Sequence, residues 1–576
     1  MKNLLYILVF ATSLLLMSCE DFLDTTNYTK KDTSNYPETV TDAEQMITGI
    51  YSNLSYSSAS PQTSYYYAAE LASDDRFGGG GENDKLMQAL DLMMNNGSSM
   101  LEEFWRVRYT GIFRANMAIE TLDNCEGYES EDQRNQMKGE AYFMRAFFYF
   151  EMASFYGQVP LVVTTEAVNL PKASPEEIYA QIASDLKMAI ELMPSKPYTS
   201  VLAGHATKWT AEALMARVFL FYTGFYSKDA LPLVGEDGTI SGSVSKSEVT
   251  GWLEDCINNS GHELVDDFRE LWPYTNAYTV DEYEFTKDQG LEWVENNNGV
   301  NPETMFSIKY SNFPDWGTTI GYSNQYALHF GLRGGQDYEN TFPFGQGWGA
   351  GPVVPTIWNE WVQAEPTDTI RREGSIINIP VELPNYAKGG WADFIQETDY
   401  WNKKMVPVTA RNESGTLASS YSVLMYGTED NMQLDNTMDL IIIRYADVLL
   451  MHSELTETNT YMNEVRARAG LEGKEYSLQN IQKERRWELA FEGVRWNDIR
   501  RWGIAATELE KQIGQPIYTK GNDDMSKGFG GGYAARYEAT NGGFFPIPEA
   551  QIELSDGVLE QNAGWGTAAA EYTGWK

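Results

Sequence analysis

The chain is short of cysteine, of histidine and of positive charge. Its 576 residues include three cysteines, four histidines, and 43 Lys+Arg against 82 Asp+Glu, for a formal net charge of −39. Each shortage excludes something. So acidic a chain is repelled by phosphate backbones, which removes nucleic acid as a partner. Three cysteines in a chain of this length are not a disulfide framework. His205, His262, His329 and His452 are scattered and lack a His-Glu-x-x-His pair, which argues against a zinc protease. Gly-x-Ser-x-Gly, Walker A and EF-hand patterns are also missing. The glycine-rich run Gly345–Gly351 has Ala350 where a dinucleotide fingerprint needs its third glycine, and it reads as a tight loop exposing Trp348. Beyond residue 17 no long apolar run remains, so the mature chain has no sequence-level membrane span.

What is abundant is aromatic: 25 Phe, 35 Tyr and 16 Trp, or 13% of the chain. Acidic disordered proteins are poor in aromatics, so this chain is expected to fold. Its N-terminus is an address. Lys2 precedes the apolar run Leu4 to Met17, which has signal-peptide length. Leu16-Met17-Ser18-Cys19 resembles a bacterial lipobox, making residues 1–18 a signal peptide and Cys19 a lipidation site. The acidic Glu20-Asp21-Phe22-Leu23-Asp24 looks like the surface-export signal of Bacteroidetes-type lipoproteins, and residues 19–37 form a lipidated tether. Cys125 and Cys256 remain, either bonded to each other or as two buried free thiols.

Residues 38–576 read as one domain in three stretches. The first, 38–226, is helical. Capping signatures at Thr41-x-x-Glu44, Ser130-x-x-Gln133 and Ser174-Pro175-Glu176-Glu177 open helices over about 41–57, 130–156 and 174–193. Further helices are expected at about 98–123 and 205–226. Small residues such as Gly139, Ala141 and Ala146 alternate with Phe143, Phe147 and Phe148, letting helices approach closely as in stacked tetratricopeptide pairs. The second stretch, 227–435, has a short helix near 246–259 and strand-like runs at Met305–Tyr310 and Ser375–Val381. It also holds nine of the sixteen tryptophans, which points to an irregular, function-bearing region. In the third, 436–576, helices are expected at about 440–457, 459–469 and 478–502. The fold class is mainly α: a degenerate tetratricopeptide-like helical scaffold with a large loop-rich insertion containing short strands.

The most distinctive segment runs Glu484-Arg485-Arg486-Trp487-Glu488-Leu489-Ala490-Phe491-Glu492-Gly493-Val494-Arg495-Trp496-Asn497-Asp498-Ile499-Arg500-Arg501-Trp502-Gly503. Its glutamates recur every four residues beside the arginines, so it reads as a partly buried helix pair locked by ion pairs and Trp packing, ahead of an anion site. This segment resembles the C-terminal signature of the SusD/RagB family of surface glycan-binding lipoproteins. Gly139–Ala146, Tyr156–Leu161, Ile443–Leu450, Val465–Gly470 and Phe545–Pro548 agree with it in order, so the resemblance covers essentially the whole chain.

The resemblance implies a binding protein without catalysis. It would be lipid-anchored in the outer membrane and face the exterior, handing a neutral oligo- or polysaccharide to a SusC-like TonB-dependent transporter. A peptide or other nutrient ligand, a glycoside hydrolase and a transporter-only adaptor are the alternatives. No cofactor is expected; a structural calcium at acidic clusters such as Asp74-Asp75 or Asp523-Asp524 is the one option kept. A glycan needs aromatic faces for its C–H surfaces and Asp, Asn or Arg for its hydroxyls. Three loops combine them: Asp74, Asp75 and Arg76; Trp316 with Tyr322; and Arg371 and Arg372 with Trp391, Tyr400 and Trp401. Trp105, Trp209, Trp487, Trp496 and Trp502 are assigned to the helical core.

Overall fold

The computed structural model describes residues 36–575 apart from 60–63, 98–99, 236, 297–298, 317–322, 336, 389–392 and 567–569. The chain is mainly helical. Its scaffold is a run of packed helices: α1 (Val40–Ala59), α2 (Glu102–Thr121), α3 (Glu131–Tyr156), α4 (Pro175–Leu192), α5 (Lys208–Phe225) and α6 (Lys246–Asn259). Each packs on its neighbours, α3 against both α2 and α4, α5 against α4 and α6. Glycine sets two of these approaches. A Cβ on Gly111 of α2 would stand 2.4 Å from the Phe148 ring, and one on Gly139 of α3 would stand 2.4 Å from Met193 Cγ.

Local chemistry starts these helices. Ser174 and Glu177 form the expected reciprocal capping box, with Pro175 at the first turn. Ser130 accepts the Gln133 N–H, while Gln133 reaches past it to the Glu129 N–H at 2.7 Å. At α1 the box lies two residues earlier than Thr41-x-x-Glu44. Asp42 Oδ2 accepts the Glu38 and Thr39 N–H groups at 3.1 Å, and Thr39 Oγ1 accepts the Asp42 N–H at 3.3 Å.

The C-terminal helices are α7 (Tyr445–Thr456), α8 (Thr460–Arg468), α9 (Leu478–Glu488) and α10 (Arg495–Arg501). Three expectations are corrected here. Residues 440–444 are a strand, not the first turns of a helix: Ile441-Ile442-Ile443 is β-branched and pairs in strand β2 (Leu440–Arg444) with β1 (Thr304–Ile308). The helix expected over 478–502 is broken between α9 and α10, where Phe491 and Gly493 take φ of +64° and +75°. Between Met305–Tyr310 and Ser375–Val381, the second strand shrinks to Ile376–Asn378, paired with Tyr400–Asn402, because Pro380 opens a helical turn at Ile379–Glu382.

The break turns α9 into a hub. Arg444 on β2 lies 2.7 Å from Glu492 and 3.1 Å from Glu488, and also pairs with Glu303. Arg371 reaches Asp368 at 2.7 Å and Glu488 at 3.2 Å, and Arg466 holds Glu484 at 2.7 Å. All of these groups are buried. The ion pairing expected along the helix is therefore made largely between elements. Trp487 stacks on Trp361 at 4.9 Å, and Trp105, Trp209 and Trp496 are buried as expected. Trp502 is half-buried and donates to Glu454 at 2.9 Å.

Removing one partner of a buried ion pair strands the others, at about 3–5 kcal/mol. Arg444→Met is expected to lower the free energy of unfolding in urea by that amount. A loss under about 1 kcal/mol would mean that water screens the cluster.

Candidate functional site

Most of the residues selected from the sequence are inside the protein. Asp74 holds Arg495 at 2.7 Å and Asp75 holds Arg486 at 2.6 Å. Arg76 is bonded to Glu70 at 2.5 Å and lies between the Phe330 and Phe491 rings, 4.3 and 4.6 Å from their centroids. Arg371 belongs to the α9 hub, and Arg372 is buried against Trp358 and the Glu365 carbonyl. Trp401 is buried in the Ile376–Asn378 pairing, and Tyr400 is half-buried on Trp358 at 5.2 Å. The first and third loops do converge. Val354 N–H donates to Asp75 O and Val353 N–H to Tyr400 O, each at 3.0 Å. They converge on the core, so the expectation that these side chains face a ligand is corrected: their charges and rings are already spent on one another.

Trp316 is different. It is 53% exposed, and Phe313 on the same loop is 70% exposed. Tyr322, Trp391 and the lipidation residue Cys19 lie outside the described residues. Trp348 is half-buried rather than exposed, and Trp272, Trp293, Trp361 and Trp401, four of the nine mid-chain tryptophans, are buried in the core.

The loop carrying Phe313 and Trp316 leaves β1 beside a cleft of about 410 Å³, which Tyr310 and Asn312 line just ahead of the two rings. The cleft is assembled from distant pieces. The α4–α5 connection brings Tyr198 and His205, the segment before β1 brings Trp293, Glu295 and Asn301, β1 leads into Lys309 and Tyr310, and Tyr426 and Asp439 come from before β2. Tyr198 stacks on His262 at 3.9 Å, and His262 Nδ1 is 2.8 Å from the Pro302 carbonyl. Ser307 Oγ donates to Asp439 at 3.3 Å, and Lys309 is ion-paired with the same carboxylate. Asn301 donates to Glu295 at 3.5 Å. The Trp293 indole N–H and His262 Nε2 are buried with no partner among the described residues.

Burial sets the electrostatics. It pushes the Glu295 carboxyl up to about 8, helped by the charge of Asp439 and opposed by Lys309. Tyr426 is pushed up to about 12 by burial and by those two carboxyls. His262 is pushed down to about 4 by burial. For His205 burial acts downward too, but its hydrogen bond to Glu140, 2.6 Å away, and that residue's charge win and raise it. Chemically the cleft offers rings, carboxyls, amides and a paired ammonium, which is equipment for hydroxyl groups.

Sequence reasoning missed Tyr198, Glu295, Lys309 and Asp439. Only the nearness of Lys309 and Tyr310 to Trp316 was a readable signal; the other pieces meet through the fold. Among the described residues no group of three or more His, Cys, Asp or Glu is placed to hold a metal. Asp74 and Asp75 serve arginines, and Asp523 and Asp524 lie on an exposed strand. Cys125 and Cys256 are buried free thiols. No described helix is long and apolar enough to cross a membrane.

Comparison with known proteins covers nearly the whole chain. Residues 21–220 match a SusD-like family model described as starch-binding associating with outer membrane, and residues 276–565 match the SusD family model. SusD-like protein P2 of Formosa agariphila is 22% identical over 566 residues, covering 92% of this chain and 93% of the relative. A SusD-like protein of Bacteroides ovatus is 22% identical, covering 69% of this chain and 65% of its own. Among solved structures, a laminarin binding SusD-like protein superposes with a TM-score of 0.67 at 23% identity, covering 92% of this chain and all of that one. Surface glycan-binding protein A from Bacteroides thetaiotaomicron in complex with laminarihexaose gives 0.66 at 20% identity, covering 91% and 99%.

Two of the four histidines, His205 and His262, line the cleft and make its electrostatics measurable. In a titration of the imidazole resonances, His205 is expected to have its midpoint above the ordinary 6.5, with His262 and His329 near 4 and His452 below 6.5. A His262 midpoint near 6.5 would contradict its burial in the cleft wall.

Proposed function

The chain belongs to the SusD family, and on that premise we propose that it captures a glycan at the cell surface and passes it to a SusC-like, TonB-dependent outer-membrane transporter. As a member of that family it is a glycan-binding type of protein and not an enzyme. The family is associated with the outer membrane; lipidation of Cys19 would hold this chain there through the tether 19–37.

One observation carries the reading: two exposed rings, Phe313 and Trp316, stand on the loop beside a cleft lined with hydroxyl-matching groups. Rings of this kind cover the C–H faces of sugars, while Asn312, Asn301 and the carboxyls satisfy hydroxyls in fixed directions. The ligands named for two similar structures make laminarin the first polymer to test.

The test is affinity electrophoresis of residues 20–576 through a panel of polysaccharides that includes laminarin. Retardation by one polymer class is expected. Trp316→Ala and Phe313→Ala should each weaken it about tenfold, with little change in thermal midpoint, because both rings are exposed. Retention that ignores both substitutions would move the site elsewhere, and no retention on any polymer would reject glycan capture. In cells, Cys19→Ala should release the protein from the membrane fraction; a protein that stays there is held by something other than that lipid.

A further inference from the structure

Lys309 is the sole Lys or Arg among the described residues lining the cleft, and its ammonium is ion-paired. Asp439 takes its ammonium, and Ser307 Oγ donates to the same carboxylate oxygen at 3.3 Å. Glu295 is the second carboxyl of this wall, held by Asn301 Nδ2 at 3.5 Å. His205, the other basic group with a raised affinity for its proton, is compensated by Glu140 at 2.6 Å. His262 is buried against Tyr198 and is neutral at physiological pH. The wall therefore has two carboxyls and one spent cation.

We propose that Glu295, Asp439 and Lys309 form a charge filter in this cleft: sugars presenting uncharged hydroxyls are accepted, and sugars bearing carboxylates are turned away. The filter rests on the glycan-binding reading of the same cleft and names its substrate class. A hydroxyl meets acceptors in the carboxyls and a donor in the Asn312 amide that lines the cleft. A uronate meets the Asp439 carboxylate as a like charge, and the Lys309 ammonium beside it is already paired, so little offsets the loss of the uronate's hydration. The wall's own behaviour points the same way. Burial and Asp439 together make Glu295 keep its proton to about pH 8, so a wall that resists a second negative charge of its own resists one brought by a ligand.

The decisive experiment compares one glucan in two charge states. Native laminarin and laminarin oxidised at C6 to glucuronate are presented to the wild-type protein at matched chain length; if another polymer of the panel is the one retained, its native and oxidised forms are used. Wild-type affinity for the oxidised form is expected to be at least tenfold weaker. Asp439→Asn, which leaves the Lys309 ammonium unspent, should raise the oxidised-to-native affinity ratio about tenfold, and the gain should shrink with added salt. Glu295→Gln should move the ratio in the same direction when the comparison is made above about pH 8, where Glu295 is ionised, and serves where Asp439→Asn lowers the thermal midpoint. Equal wild-type binding of both forms, or a ratio that neither substitution moves, would overturn the filter while retention sensitive to Trp316→Ala leaves glycan capture standing. If retention is absent on every polymer, or is indifferent to Trp316→Ala, glycan capture at this cleft falls, and the filter with it.

Discussion

The structure hangs on a lattice of buried guanidinium and carboxylate groups centred on α9. Around Glu484, Glu488 and Glu492 gather Arg371, Lys404, Arg444, Arg466 and Arg468, with Glu303, Glu365 and Asp368 completing the partners and Lys474 closing on Glu365. Six cations thus meet six carboxylates. Taking such charges out of water is costly, and their attraction repays it only when every partner is in place. That makes the lattice a weak source of net stability and a strict selector of register. An apolar core can shift by a residue and repack, whereas a shifted arginine here would leave buried charges unpaired.

The selected register joins segments far apart in the chain. Arg486 and Arg495 reach back to Asp75 and Asp74 beside the first helices, Arg485 reaches Asp447 on α7, and Arg217 on α5 shares that aspartate at 2.6 Å. Burial raises the Asp447 carboxyl, but its two arginines outweigh burial and hold it at about 2. The irregular middle is gripped at Glu303, Arg371 and Lys404, so its packed part is tied to β2 and to the α9 glutamates. β1 issues from Glu303 and β2 ends at Arg444, so the loop beyond β1 starts from a point the lattice has already placed. That is how a loop bearing Phe313 and Trp316 can be irregular in itself and still be presented in one place.

The scaffold was legible because its signals are local. Ser174-Pro175-Glu176-Glu177 states a helix start in four residues, and the alternation of small and aromatic residues states close packing within two turns. The site was less legible because the same residue types serve two ends. Asp74-Asp75-Arg76 and Arg371-Arg372 have the composition of a hydroxyl-binding loop, and only the positions of Arg486, Arg495 and Glu484 show that they are internal partners. Conversely, Tyr198, Glu295 and Asp439 carry no motif. They become a wall because the α4–α5 connection and the β1–β2 pairing bring them together, and that is tertiary information. Trp316 was selected for its place beside Pro314 and Asp315 in a loop, and its ring is 53% exposed.

The acidity of the chain takes on a more exact meaning once its charges are located. The lattice is balanced sign for sign, and the neighbouring set of Arg217, Arg485 and Arg501 faces Asp447, Asp498 and Glu454. The net −39 must therefore be carried chiefly outside these clusters. Exposed charges are screened within about 8 Å at physiological ionic strength, so the excess acts on solubility and on the approach of charged polymers, and fades at contact. Inside a cleft screening is weaker and individual groups decide. A protein with this exterior could still bind an acidic sugar if its cleft held an unspent arginine. This cleft holds Lys309 already paired with Asp439, facing Glu295, so global and local charge act in the same direction at two ranges: the surface slows polyanions, and the wall refuses them a partner.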